Sequence, residues 1–147
     1  MIQSKVIWKN VLVLAVAGGL AFWLANFAIS RTPIAAEYRA ALSISYYSML
    51  LEALIGGLII GFCVSYFLLR FFDKLPTKNP VLKSLILSFI ALCVVTILIE
   101  VPAKFITPTK DALHYFLIGT MFNVIRIPAL GIVIGYLYRW LNRSERK

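Results

Sequence analysis

Four long apolar runs constrain the fold of this chain more than any other feature. They cover approximately residues 10–27, 46–71, 82–101 and 115–141. A helix crosses a bilayer with about 20 mainly apolar residues, each adding about 1.5 Å of length. A membrane β-strand would instead alternate polar and apolar residues, and no such alternation is visible. The sequence therefore predicts an all-α integral membrane bundle of four transmembrane helices.

The composition favours a membrane domain over a soluble one. Of the 147 residues, 61% are hydrophobic and only 14% are charged, which excludes an ordinary soluble domain. We expect residues 1–147 to form a single transmembrane domain in the cell membrane, with lipid at its surface. The first apolar run is long for the core of a cleaved signal peptide, so we expect it to be retained as a span.

The basic residues predict the topology, because loops on the cytoplasmic side carry an excess of Lys and Arg. With the N-terminus inside, the outer side carries only Arg31, Arg39, Lys104 and Lys110. The inner side then carries Lys5, Lys9, Arg70, Lys74, Lys78, Lys83, Arg139, Arg143, Arg146 and Lys147. Both termini are therefore expected in the cytoplasm. The net charge of +9 is scattered over helix ends, which favours contact with anionic lipid and not with nucleic acid.

The links between the runs carry further signals. Thr32-Pro33 followed by alanine-rich sequence is typical of a helix start, and predicts a short helix on the outer surface at about 33–43. The link at 73–80 is short and contains two prolines, so it predicts that the second and third spans are antiparallel neighbours.

Glycines spaced four residues apart occur in the second and fourth spans. Gly57 and Gly61 form one pair, and Gly131 and Gly135 form the other. Such pairs let membrane helices approach closely, so these four residues are predicted to pack against helices. The pattern does not say whether the partner helix belongs to this chain or to another.

The two glycine pairs lie 74 residues apart, which suggests two tandem helical hairpins of the same orientation. The same shift aligns other polar positions, Asn26 with Glu100, Lys9 with Lys83 and Glu52 with Arg126. Few aligned residues are identical, however, and membrane composition alone would give nearly as many. A repeat and a chance similarity both stay open.

Arg126 is the most unusual residue, because it lies inside an apolar run. An arginine at mid-bilayer depth costs at least about 2.5 kcal/mol, so it normally faces a partner or water. Asn123 shares its helix face, and Glu52 is the predicted acid partner, since an arginine side chain can rise several Å towards the outer side. The Glu52, Asn123 and Arg126 cluster is either a coupling site for an ion or substrate, or a structural lock that fixes helix register.

Polar residues also gather at the outer ends of the third and fourth spans. Glu100, Asp111 and His114 are weak candidates for a metal site, with Lys104 nearby. A tight transition-metal site usually has three or four ligands, and the chain has one histidine. We therefore expect interfacial polar residues here and no metal or other cofactor. Cys63 and Cys93 have no metal-ligand spacing and are expected to pack as small apolar residues.

No motif for catalysis is visible. The sequence contains no phosphate-binding glycine loop, HExxH, CxxC or nucleophile elbow. An enzyme acting alone would need at least a nucleophile or base with a partner. We therefore expect that the chain is not an enzyme by itself.

Three segments resemble small four-helix archaeal membrane proteins. They are the segments 78–84, 99–105 and 131–139, which read KNPVLKS, IEVPAKF and GIVIGYLYR. Proteins of this type occur as accessory subunits of the archaeal copper ammonia monooxygenase. The resemblance implies an integral-membrane scaffold role, with copper held by other subunits. It carries over no functional residue.

The expected function is that of a non-catalytic accessory subunit in a larger membrane complex, with other membrane subunits and lipid as partners. The alternative is a small transporter, channel or lipid-binding protein that uses Glu52, Asn123 and Arg126. This alternative predicts a cavity that reaches Arg126. A third interpretation is an assembly factor that associates transiently.

Overall fold

Helices make up nearly all of the described chain, residues 2–144 of the computed structural model, and no strand occurs within that range. Of the side chains, those of residues 6–143 are described. Met1 and the predicted cytoplasmic charges Arg146 and Lys147 lie outside the described residues, as does the side chain of Lys5. The helices are α1 at Ile2–Ser30, α2 at Pro33–Ala41, α3 at Tyr46–Arg70, α4 at Pro80–Val95 and α5 at Ala112–Ser144.

Four of these helical segments are long and apolar enough to cross a membrane. They cover Val6–Ser30, Tyr46–Arg70, Pro80–Ile106 and Ala112–Arg143. The structure thus confirms an all-α fold with four candidate spans, each containing or closely matching a predicted run. The third span is longer than predicted, because it continues past residue 101 to Ile106.

Side-chain caps fix where three of the helices begin. The Thr32 hydroxyl accepts a hydrogen bond from the backbone N–H of Ala35 at 3.3 Å, and Pro33 opens α2 within the predicted range 33–43. Ser45 caps α3 through the N–H of Ser48 at 3.1 Å. Asn79 caps α4. Each cap satisfies a backbone donor that has no partner inside its helix.

Two wide π-helical turns extend α4, at Thr96–Glu100 and Pro102–Ile106. The N–H of Val101 bonds to the carbonyl of Thr96, five residues earlier. Pro102 has no N–H to donate, and the widened turns let the helix continue past it. This explains why the span does not end near residue 101.

The helices pack through apolar side chains and close glycine contacts. α1 lies along α3 and α5, and α4 lies along α5. Gly57 and Gly61 bring α3 against α1, while Gly131 and Gly135 bring α5 against α4. All four glycines therefore contact helices of this same chain. The buried core is formed by Leu14, Phe22, Ala53, Val64, Leu68, Ile127, Leu130 and Ile134.

α3 and α4 are joined by a short link, as predicted, yet they make little contact with each other. A cleft with a volume of about 1180 Å³ lies between them. Their separation follows from the packing, because α3 is held by α1 and α4 by α5. The second and third spans are therefore neighbours across a cleft, with less direct contact than the α1–α3 and α4–α5 pairs.

The α1–α3 contact can be tested at Gly61. A Cβ added there would lie 2.7 Å from the carbonyl oxygen of Ala15, which is a backbone atom that cannot rotate away. We expect Gly61→Ala to lower the free energy of unfolding by about 1–3 kcal/mol, as overpacking does. Detergent-induced unfolding followed by circular dichroism measures this.

Gly56→Ala is the matched control, because a Cβ at Gly56 meets no atom within 4 Å. It should leave the unfolding transition unchanged or raise it slightly, since alanine is the better helix former. Equal destabilisation by both substitutions would contradict the close α1–α3 contact.

Candidate functional site: a polar cluster beside a membrane cleft

Arg126 is held by two amide side chains. Its Nη1 donates a hydrogen bond to Oδ1 of Asn26 on α1 at 2.6 Å, and its Nη2 donates to Oδ1 of Asn123 on α5 at 2.5 Å. The guanidinium also lies 5.0 Å from the ring centroid of Phe22. Asn26 is fully buried and Asn123 nearly so. Two neutral amides therefore fix the orientation of the Arg126 guanidinium.

The cluster continues from Asn123 to a buried ion pair on the extended part of α4. Nδ2 of Asn123 donates to Oε1 of Glu100 at 3.0 Å, and Nζ of Lys104 lies 3.0 Å from Oε2 of the same carboxylate. Glu100 and Lys104 are only 7% and 6% exposed. The widened turns of α4 place both residues against α5. We call the linked set of Asn26, Arg126, Asn123, Glu100 and Lys104 the polar cluster.

A glycine on α5 makes room for this ion pair. A Cβ at Gly119 would collide with the carboxylate of Glu100 and lie 3.0 Å from the hydroxyl oxygen of Tyr38. Tyr38 comes from the short helix α2, and Nζ of Lys104 lies 5.1 Å from its ring centroid. Burial raises the pKa of the Tyr38 phenol, so this group is a neutral hydroxyl near neutral pH. α2 thus covers one side of the polar cluster.

The charges in the polar cluster do not balance. Arg126 and Lys104 supply two positive charges, and Glu100 supplies one negative charge, which Lys104 neutralises at 3.0 Å. Within residues 6–143, no carboxylate oxygen lies within 4.0 Å of the Arg126 guanidinium. Arg126 is therefore a cation with hydrogen-bond partners but no direct counter-charge.

The predicted ion pair between Glu52 and Arg126 is not formed. Glu52 is exposed on α3 and has no hydrogen bond or ion pair to any described residue. The reason is the packing order, because α1 lies directly on α5 and puts Asn26 against Arg126. Glu52 instead lines the cleft that also exposes Arg126. The sequence thus placed Glu52 near the site but assigned it the wrong partner.

The cleft has a polar end and an apolar remainder. Arg126, Asn123, Glu100, Lys104 and Glu52 line one end. The walls beyond it are apolar, with Ile59, Ile60, Cys63 and Phe67 from α3 facing Ile90 and Val94 from α4. The polar end lies about 9 Å from the helix ends that the sequence predicts to be on the outer side, since Glu52 and Glu100 are each six residues from those ends of their spans. A cavity that reaches Arg126, as the alternative function predicted, is therefore present.

The structure does not gather the weak metal candidates. Glu100 is buried with Lys104, whereas Nε2 of His114 lies 3.5 Å from Oε1 of Glu37 on the surface. Asp111 lies in the link before α5, with a positive φ of 57°. No group of three or more His, Cys, Asp and Glu side chains that could hold a metal occurs among the described residues. Glu100 and Lys104 are buried and paired with each other, so they are not exposed on the protein surface.

Sequence reasoning missed three contributors to the polar cluster. Asn26 was noted only as the aligned counterpart of Glu100, although it is a polar residue within a long apolar run. The i, i+4 spacing of Glu100 and Lys104 was a usable signal for an ion pair. Gly119 gave no signal, because the need for a small residue depends on which side chains face it.

Gly119 provides a test of the polar cluster. In Gly119→Ala, the added methyl group would displace the Glu100 carboxylate and leave its partners on α4 and α5 partly unpaired. Because an unsatisfied buried polar group costs about 1–3 kcal/mol, we expect a loss of stability of that size. Detergent-induced unfolding measures it.

Gly56→Ala is again the control, since its added Cβ contacts nothing within 4 Å. A second comparison is Gly119→Ala combined with Glu100→Ala, which removes the colliding carboxylate. The loss of stability caused by Gly119→Ala should be smaller in the Glu100→Ala background than in the wild type. If the two losses are equal, the close approach of Glu100 to α5 is wrong.

No family model, curated protein or solved structure matches this chain. What the site can bind must therefore be argued from its own residues. They offer a fixed cation, an unpaired carboxylate and a long apolar wall in a single cleft.

Proposed function

We propose that this chain is a non-catalytic membrane protein that binds an amphiphilic, lipid-like molecule in the cleft between α3 and α4. The observation that carries the proposal is the cleft itself, with charged side chains at one end and apolar walls over the remainder. Binding sites for small molecules are mostly apolar, with a few polar groups that fix orientation. An amphiphile has this same division between head and tail.

The dimensions of the cleft support an acyl tail as the apolar part of the ligand. Phe67 lies 15 residues after Glu52 on the same helix, which corresponds to about 22 Å. One leaflet contributes about half of the roughly 30 Å hydrocarbon core. The apolar walls are therefore long enough to cover a tail across one leaflet.

The cleft lies between two spans that make little mutual contact, so a ligand entering from the side would not have to separate packed helices. The proposed orientation follows the basic residues, with both termini in the cytoplasm and the polar end near the outer leaflet. A lipid of that leaflet would draw its head about 9 Å inward from the helix ends to reach Glu52 and Glu100. Both a lipid-binding protein and a lipid transporter would require this binding step.

A second proposal is the accessory-subunit role expected from the sequence. The observation in its favour is that Glu52 and Arg126 both face the cleft without a charged partner among the described residues. A helix of a neighbouring subunit seated there would supply those partners. The resemblance to small archaeal four-helix membrane proteins suggests a copper monooxygenase as the complex. Purification from native membrane in mild detergent should then yield a stoichiometric complex, and a lone monomer would contradict it.

Filling the cleft tests amphiphile binding. Gly56 lines the cleft, and a Cβ added there meets no atom within 4 Å. We expect Gly56→Phe to fold normally and to lose most of the lipid that copurifies in neutral detergent, because the ring occupies the space of the tail. Mass spectrometry of extracted lipid, per mole of protein, measures the loss.

Val16→Phe is the matched control, because Val16 is exposed on α1 away from the cleft. It adds a ring to the outer surface and should leave the amount of bound lipid unchanged. Equal lipid retention by wild type, Gly56→Phe and Val16→Phe would show that the cleft is not where lipid binds.

The proposed orientation has its own test. Lys110 and Lys78 are both exposed, and they lie in links on opposite sides of the predicted membrane. In a Cys63→Ser, Cys93→Ser background, Lys110→Cys should react with a membrane-impermeant maleimide in intact cells. Lys78→Cys should react only after permeabilisation. The reverse pattern would place the polar end of the cleft at the cytoplasmic side.

A further inference from the structure

Two opposite charges in the cleft, Arg126 and Glu52, have no charged partner among the described residues. Arg126 contacts the amides of Asn26 and Asn123 and the ring of Phe22, none of which is charged. Glu52 has no hydrogen bond or ion pair among the described residues. Both side chains line the cleft, yet their charged atoms are more than 4.0 Å apart, since no ion pair joins them. Besides the Glu100–Lys104 pair and the exposed Lys110, the cleft therefore carries one unpaired cation and one unpaired anion.

The free donors of Arg126 favour an anionic oxygen. A guanidinium has five N–H donors, and here Nη1 and Nη2 each use one of them on an amide. The planar guanidinium matches phosphate geometry, and its direction is already fixed by the two amides. An incoming phosphate would thus meet a preoriented cation.

Glu52 decides between kinds of head group. Lys104 and Glu100 neutralise each other, so the charges left for a ligand are those of Arg126 and Glu52, with Lys110 exposed at the rim. A purely anionic head would satisfy Arg126 but leave Glu52 unpaired at membrane depth. A purely cationic head would do the reverse. Unpaired charges at that depth are costly, so a head that carries both charges fits best.

We propose that the amphiphile has a zwitterionic head, with a phosphate directed to Arg126 and an ammonium group directed to Glu52. This inference rests on the proposed function, since it names the head group of the molecule bound in the cleft. The tail then follows the apolar walls past Cys63. Binding of such a head would neutralise both unpaired charges at once.

Four detergents with the same dodecyl tail test the head group. The protein is prepared in dodecyl maltoside, and dodecylphosphocholine, dodecyl phosphate or dodecyltrimethylammonium is added at increasing mole fraction. Alkylation of Cys63 by a maleimide reports occupancy, because Cys63 lines the cleft. Cys93 is exposed but does not line the cleft, so it serves as the internal control.

We expect dodecylphosphocholine to protect Cys63 at a mole fraction about tenfold lower than either singly charged detergent, as losing one charge-assisted contact would predict. Cys93 should react equally in all four. Glu52→Gln should remove the preference for dodecylphosphocholine over dodecyl phosphate, and it should fold normally because Glu52 is exposed. Arg126→Gln should remove the preference over dodecyltrimethylammonium.

The outcomes separate the two proposals. If all added detergents protect Cys63 equally, or if Glu52→Gln changes no preference, the zwitterionic head is wrong while the cleft still binds amphiphiles. If dodecyl phosphate is preferred in the wild type, the site is anionic-selective and Glu52 does not contact the head. If no detergent protects Cys63, both proposals fail, and a helix of a neighbouring subunit becomes the better occupant.

Discussion

Arg126, which has no direct counter-charge among the residues that the structure describes, is the constraint around which this bundle is arranged. Because a charge inside a membrane span must be oriented and partly compensated, helices that approach Arg126 must bring polar groups. Asn26 on α1 and Asn123 on α5 do so through hydrogen bonds of 2.6 and 2.5 Å. The Asn123 amide accepts a hydrogen bond from Arg126 through its oxygen and donates one to Glu100 through its nitrogen. One chain of contacts thus ties α1, α4 and α5 together in the half of the fold next to α2.

The arrangement of the hairpins agrees with part of the sequence pattern. Asn26 and Glu100, which the shift of 74 residues aligns, both bind side chains of α5 in the polar cluster. Both glycine pairs pack against the first helix of their own hairpin. Glu52 and Arg126 break the correspondence, because one faces the cleft and the other is held in the cluster. The geometry is therefore similar between hairpins without being a strict repeat.

The four spans were predictable from sequence because the membrane imposes a length and an apolar composition on each helix. Gly57 and Gly61 were predictable as packing residues because close approach of membrane helices requires small side chains. The partner of Arg126 was not predictable. Depth along a helix follows from residue number, but which neighbour a side chain meets depends on rotation about the helix axis. The wide turns around Pro102 change that rotation, and they place Glu100 and Lys104 inward.

The cleft is a consequence of the same packing. α3 follows α1, and α4 follows α5, so the two helices joined by the shortest link are left apart. As a result, Glu52 and Arg126 line the same cleft, which continues along the apolar walls. A site of this kind is fixed on its polar side by hydrogen bonds and is open on its apolar side. That combination supports the proposed binding of an amphiphile from the bilayer.

Double-mutant cycles on unfolding stability test most directly whether Arg126 is held by amides and not by a carboxylate of the fold. Arg126→Gln would be combined with Asn26→Leu in one cycle and with Glu52→Gln in the other, in neutral detergent. Residues in direct contact show interaction energies of about 0.5–3 kcal/mol, whereas separated residues are additive within about 0.5 kcal/mol. The structure predicts coupling between Arg126 and Asn26 and additivity between Arg126 and Glu52. Strong coupling of Arg126 to Glu52, with none to Asn26, would contradict it.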